Sequence, residues 1–200
     1  MKNIAVFASG RGTNFDAIAK AVKNSSLKVN LALLVCDKPK APVLAKAKKA
    51  GISLALIERK SFNSKKDFEN KIIQCLKEKK IDLIVLAGFM RVLSPYFVKK
   101  YRNRIINIHP SLLPSFKGEH GIADAFTYGV KVTGVTVHFV DEQMDHGPII
   151  LQKEIQINKK DTLTSLEAKI HRVEHKLFPE AIGLFVKDKL KVEGRRVKVV

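Results

Sequence analysis

The feature that most constrains this chain is the run Ile81-Asp-Leu-Ile-Val-Leu-Ala87, which is almost entirely apolar. A strand with this pattern is covered on both faces, as strands of parallel sheets are. Asn3 to Ala8 and Val29 to Cys36 carry the same pattern, and Ile52 to Ile57 predicts a fourth strand. Between them lie helical segments: one running to about Lys23, one over Lys40 to Gly51 with Pro42 in its first turn, and one over Ser64 to Lys80 with Phe68, Ile72, Ile73 and Leu76 inward. This β-α-β-α rhythm predicts an α/β fold, a doubly wound, mostly parallel mixed sheet with helices on both faces. Beyond Thr133 the pattern turns to alternation, in Thr133 to Val140 and again in Ile149 to Ile157. Alternation implies antiparallel pairing with one solvated face. Asp161 or Thr162 caps a long helix through Val186, interrupted or bent near Pro179, and Leu190 to Val200 reads as a hairpin around Glu193-Gly194. No repeat or linker divides the chain, so residues 1–200 are expected to form one domain.

In such a sheet, ligands bind at the carboxyl ends of the strands. Arg104-Ile-Ile-Asn-Ile-His-Pro-Ser-Leu-Leu-Pro114 supplies a strand whose period of two sets Ile106 and Ile108 on one face, Asn107 and His109 on the other. Pro110 has no N–H for a ladder, so the strand stops with His109 at its carboxyl end. Asn107 donates hydrogen bonds without titrating and His109 exchanges a proton near neutral pH, a pair suited to an oxyanion and a proton transfer. A lone histidine in a strand is most simply a satisfied core residue; the Asn-x-His-Pro arrangement at a strand end points to a site instead.

Ser9-Gly-Arg-Gly-Thr-Asn14 follows a strand and opens a helix, where free N–H groups and the dipole favour an anion such as phosphate. It is neither the dinucleotide fingerprint, since Phe15 replaces the third glycine and no acid is read at the end of the second strand, nor a Walker A loop. Asp141-Glu-Gln-Met-Asp-His-Gly-Pro148 is an acidic turn whose Asp145 would orient and charge-stabilise His109 if the two meet. His171-Arg-Val-Glu-His175 matches an inverted zinc-protease pattern, but only Glu180, Asp188 and Glu193 lie downstream to complete it, so no metal is expected. Gly88 to Leu93, taken as a plain connection, would put Phe89 and Met90 in the core.

The net charge of +18 raises the possibility of nucleic acid. The lysines, however, are scattered over helix surfaces, with no arginine-rich arm and no aromatic-interleaved stripe. A basic surface that attracts anionic small substrates is the economical reading; a nucleotide- or RNA-binding module on the same fold is the alternative from another class. Cys36 and Cys75 read as reduced thiols and no run resembles a leader or a membrane span, so nothing points outside the cytoplasm, which is the expected location.

The four stretches Ser9 to Asn14, Ala87 to Leu93, Ile106 to Pro114 and Asp141 to Pro148, in that order, resemble the motifs of phosphoribosylglycinamide formyltransferases, folate-dependent enzymes of purine synthesis. The resemblance covers essentially the whole chain. It implies transfer of a formyl group from 10-formyltetrahydrofolate, as co-substrate and without a metal, to the amine of glycinamide ribonucleotide. Asn107, His109 and Asp145 fall on the family's catalytic positions. Gly12, Thr13 and Asn14, with His171, Arg172, Val173 and Glu174, fall on its ribonucleotide-binding segments. Lys65, Met90, Arg91, Val92, Leu93, Asn107, Asp141, Glu142, Gln143, Met144 and Asp145 fall on its folate-binding positions. Lysine at 65, where the family sometimes has arginine, loses a bidentate grip. The loop Phe116 to Gly121 departs from the commoner Pro-Gly-x-His form through Lys117. A methionyl-tRNA formyltransferase would carry a further C-terminal domain, and a formyltetrahydrofolate hydrolase an N-terminal regulatory one; neither is expected here. Small-molecule substrates, no nucleic acid or membrane partner, and a monomer or homodimer complete the expectation.

Overall fold

A computed structural model describes residues 1–200. The apolar runs become the centre of one nine-stranded sheet. Strands β1 (Asn3–Phe7), β2 (Asn30–Cys36), β3 (Leu54–Leu56), β4 (Leu83–Leu86) and β5 (Ile105–His109) lie parallel in the order β3-β2-β1-β4-β5. Strand β6 (Val132–Phe139) pairs antiparallel with β5, β7 (Ile149–Gln156) antiparallel with β6, and the hairpin β8 (Leu190–Glu193) and β9 (Arg196–Val199) closes the far edge. The mixed doubly wound sheet read from the periodicity is the observed one.

Each face is covered by helices. On one face α1 (Thr13–Lys23), α2 (Val43–Lys49), α5 (Gly121–Tyr128) and α6 (Leu163–Val186) pack Phe15, Ile18, Ala47, Leu166 and Phe178 onto Ile4, Val6, Ile106 and Ile108. On the other, α3 (Lys65–Glu78) and α4 (Pro95–Lys100) pack Phe68, Ile72, Ile73, Leu76 and Phe97 onto Ala5, Phe7, Ile84 and Ile105. Ser64 caps α3 by accepting the Asp67 N–H, and Thr162 and Ser165 form a capping box at the start of α6.

One expectation is corrected, one of two alternatives is excluded and one helix is added. Strand β6 has no solvated face: Val135, Val137 and Phe139 enter the core, while Thr136 and His138, on the other face, are buried as well. The loop after β5 covers them, with Leu113 N–H donating to Thr136 Oγ1 at 3.0 Å and Thr136 donating to the Ser111 carbonyl at 2.7 Å. Polar residues alternate there because they hydrogen-bond a loop, not because they meet water. Helix α6 runs through Pro179 without interruption. Helix α4, opened by Ser94 accepting the Phe97 N–H with Pro95 in its first turn, was not read from the sequence at all.

Candidate active site

The sheet brings the loops at the carboxyl ends of β1, β4 and β5 around a cavity of about 550 Å³. One end is the glycine loop. Gly12 adopts φ +69° as the residue before α1, and no side chain caps the helix, which leaves its first-turn N–H groups directed at the cavity mouth. A Cβ on Gly12 would lie 2.4 Å from Val43 Cγ2, so the position demands glycine both for its backbone and for its packing. Beside the loop, Asn14 Nδ2 donates to Glu174 Oε2 at 3.1 Å, and His171 Nδ1 bonds the same oxygen at 2.9 Å. That bond to Glu174 raises the His171 pKa. Asn14 Oδ1 is buried without a partner.

The other end is built on the antiparallel seam. Asn107 on β5 stands opposite His138 on β6 and its Nδ2 meets His138 Nε2 at 3.2 Å. His138 Nδ1–H donates to the Phe139 carbonyl at 2.8 Å, which fixes the tautomer: Nε2 is a bare acceptor for the Asn107 amide. Burial lowers the His138 pKa and keeps the ring neutral. The 3.9 Å approach of Asp145 Oδ1 to His138 Nε2 is therefore no ion pair. His109 Nδ1 lies 3.5 Å from Asp145 Oδ2, and its Nε2–H donates to the Phe116 carbonyl at 2.8 Å. The Gly118 N–H donates to Asp145 Oδ2 at 2.8 Å, so the Phe116–Gly118 loop holds both members of this pair. Asp145 reaches the site from a left-handed residue, φ 49°, in a turn where a Cβ on Gly147 would sit 1.8 Å from the Phe139 carbonyl oxygen. The Asp-His-Gly turn is thus pressed onto the end of β6, with only glycine fitting at 147.

Of the residues singled out above, Gly12, Thr13, Asn14, Met90 to Leu93, Asn107, His109, Asp141 to Asp145, His171 and Glu174 line the cavity. Lys65, Arg172 and Val173 do not: Lys65 is exposed at the start of α3, Arg172 Nε donates to the Ala168 carbonyl within α6, and Val173 packs on the core. Met90, placed in the core by the simpler sequence reading, is 54% exposed, whereas Phe89 is buried. His171 and His175 stack with ring centroids 6.3 Å apart. The sequence reading missed His138, although its register opposite Asn107 follows once β6 is paired antiparallel. It also denied an acid at the end of β2. Asp37 stands there, directly after Cys36, buried and bonded to Ser9 and Arg91.

The formyl transferase family matches residues 2–182. The phosphoribosylglycinamide formyltransferase of Bacillus subtilis is 49% identical over 182 residues, 91% of this chain and 93% of that protein. The human trifunctional purine biosynthetic protein adenosine-3 is 40% identical over 181 residues, 90% of this chain but only 18% of that longer protein. Among solved structures, glycinamide ribonucleotide transformylase 1 from Symbiobacterium toebii superposes with a TM-score of 0.97 at 38% identity, over 100% of this chain and 94% of that one. The phosphoribosylglycinamide formyltransferase of Bacillus halodurans gives 0.90 at 47%, over 92% and 95%. Matched almost end to end in sequence and superposed along its whole length, the chain belongs to the formyl transferase family.

Proposed function

We propose that the protein transfers the formyl group of 10-formyltetrahydrofolate to the amine of glycinamide ribonucleotide, giving formylglycinamide ribonucleotide for purine synthesis. The observation that carries this reading is one cavity running from an uncapped helix start at Gly12 to the Asn107, His109 and Asp145 side chains. The glycine loop suits a phosphate. The orphaned Asn14 Oδ1 and the Glu174 carboxylate suit hydroxyls of a sugar. The wall from Met90 to Leu93, facing the turn Asp141 to Asp145, is left for the folate. Identity to enzymes named for this reaction supports the same assignment.

The amine is a competent nucleophile when neutral, so the reaction needs no serine or cysteine. As its nitrogen bonds the formyl carbon, the carbonyl oxygen becomes an oxyanion. Asn107 has one amide N–H on His138 and offers the second to that oxygen. His109, when protonated, adds positive charge beside it. Asp145 Oδ2 is already taken by Gly118, whereas Oδ1 faces only the bare nitrogen of His138. Oδ1 is then the acceptor for the proton that the attacking nitrogen must lose. The same proton passes to the folate nitrogen as its bond to the formyl carbon breaks. These groups balance the reaction without a metal. One domain working in the cytoplasm on small-molecule substrates belongs to the same reading; no helix is long and apolar enough to cross a membrane.

The test is to mix the protein with both substrates and follow the ribonucleotide by mass spectrometry. Gain of one formyl group, dependent on both substrates, is the expected result. Release of formate with the ribonucleotide unchanged would mean a hydrolase and would overturn the reading.

A further inference from the structure

Asp37 has a side chain only 1% exposed and takes no part in the chemistry above. A buried carboxylate requires charged or hydrogen-bonding partners. Its Oδ2 accepts from Arg91 Nε at 2.7 Å and its Oδ1 from the Ser9 hydroxyl at 2.6 Å. The Ser9 oxygen in turn accepts the Met90 N–H at 2.9 Å, and the Ser9 N–H donates to the Gly88 carbonyl at 2.9 Å. One carboxylate at the end of β2 thereby ties the tip of the loop after β1 to the loop after β4.

We propose that Asp37 is a positioning residue for the formyl donor, fixing the Met90–Arg91 wall of the cavity from behind. The inference rests on the reading of that wall as the folate side of the site. Arg91 has its Nε committed inward to Asp37, so its first task is to anchor its own backbone rather than to grip a ligand. The Ser9 hydroxyl does the same for Met90, and both anchors end on the same carboxylate. Free energy is gained because the wall is set before the donor arrives, which removes an ordering cost from binding. The glycine loop is less dependent on this carboxylate. Gly10 also accepts from the Val43 N–H at 3.2 Å, and Val43 packs on Gly12.

The test compares Asp37→Asn, Arg91→Lys, Arg91→Met and the double variant Asp37→Asn/Arg91→Met. Donor affinity is measured by calorimetry, beside KM for each substrate and kcat. In Asp37→Asn the single amide oxygen serves either Arg91 Nε–H or the Ser9 hydroxyl, not both, and the negative charge opposite the guanidinium is lost in either orientation. Donor Kd and KM should then rise about tenfold or more, the worth of one hydrogen bond between charged groups. Ribonucleotide KM and saturated kcat should stay within about twofold. Arg91→Lys, which can still pair with Asp37, should lose less than Arg91→Met, and the double variant should be little worse than Arg91→Met alone. Unchanged donor affinity in Asp37→Asn, an equal loss for both substrates, or losses that multiply in the double variant would each refute the clamp. Should Asp37→Asn not fold, equal losses in Arg91→Lys and Arg91→Met refute it. An unsubstituted protein that binds the donor yet transfers nothing would sink the proposed reaction, while the pattern of Kd values still judges the clamp; failure to bind the donor at all would sink both.

Discussion

Two polar clusters border the same cavity, and they are built on different physics. The strand cluster of Asn107, His109, His138 and Asp145 sits where backbone carbonyls and N–H groups at strand ends and loops are available. Phe139 and Phe116 accept from the two histidines, and Gly118 donates to the carboxylate. The helix cluster of Asn14, His171 and Glu174 has no such help, because the α6 backbone is taken up by its own helix and the free N–H groups at the start of α1 face the cavity. Its side chains satisfy one another around Glu174 and leave Asn14 Oδ1 buried without a partner. A cluster whose tautomer and carboxylate are fixed by backbone groups is preorganised for chemistry. One with an orphaned polar atom is poised to take hydrogen bonds from a ligand.

The largest expected effect falls on the strand cluster. Asp145→Asn removes the proton acceptor at nearly constant size, so kcat should fall by roughly a hundredfold to ten-thousandfold, the usual worth of a positioned acid or base. Ribonucleotide binding, measured by calorimetry, should hardly change. Equal damage to both would erase the division between the clusters. Glu174→Gln should show the reverse: ribonucleotide KM up about tenfold, the scale of one charge-assisted hydrogen bond, with kcat nearly kept. The glycine loop sharpens the comparison further. Gly12→Ala forces a Cβ into Val43 at a left-handed backbone position, and should cost about 1–3 kcal/mol of stability in thermal unfolding. Gly10 has open space around its would-be Cβ, so Gly10→Ala should fold normally and raise only the ribonucleotide KM.

The smallest effects separate the clusters by pH. Burial lowers the His138 pKa, so the neutral ring supports the fold above the unfolded value of about 6.5; that support is lost as pH falls through the lowered folded value. Glu174 raises the His171 pKa, so the charged ring stabilises the fold below about 6.5 and the gain is lost as pH rises through the raised value. Denaturant unfolding over about pH 5 to 8 should flatten on the acid side in His138→Gln and on the alkaline side in His171→Gln. Curves unchanged by either substitution would contradict both assignments.

Much of this was legible because period and punctuation are local. The apolar runs gave the parallel strands, Pro110 ended β5 after His109, and Thr162 started α6. The alternation of β6 was legible as a pattern but not in its cause, since the loop that hydrogen-bonds Thr136 comes from twenty-odd residues upstream. Asp37 was overlooked because its partners, Ser9 and Arg91, are brought to it only by the order of the strands. His138 required the register between β5 and β6, which no local pattern states. The resemblance supplied Asn107, His109 and Asp145 as a set; the 3.5 Å between His109 and Asp145, and the hold of the Phe116–Gly118 loop on both, came only with the fold.

The most direct measurement is a single-turnover assay with labelled formyl donor and saturating glycinamide ribonucleotide, run side by side on the unsubstituted, Asp145→Asn and Glu174→Gln proteins. Saturation removes the binding defect, so Glu174→Gln should transfer at close to the unsubstituted rate while Asp145→Asn remains slower by about a hundredfold or more. A normal rate in Asp145→Asn, or a Glu174→Gln protein just as slow, would contradict the account that the strand cluster carries the chemistry and the helix cluster the binding.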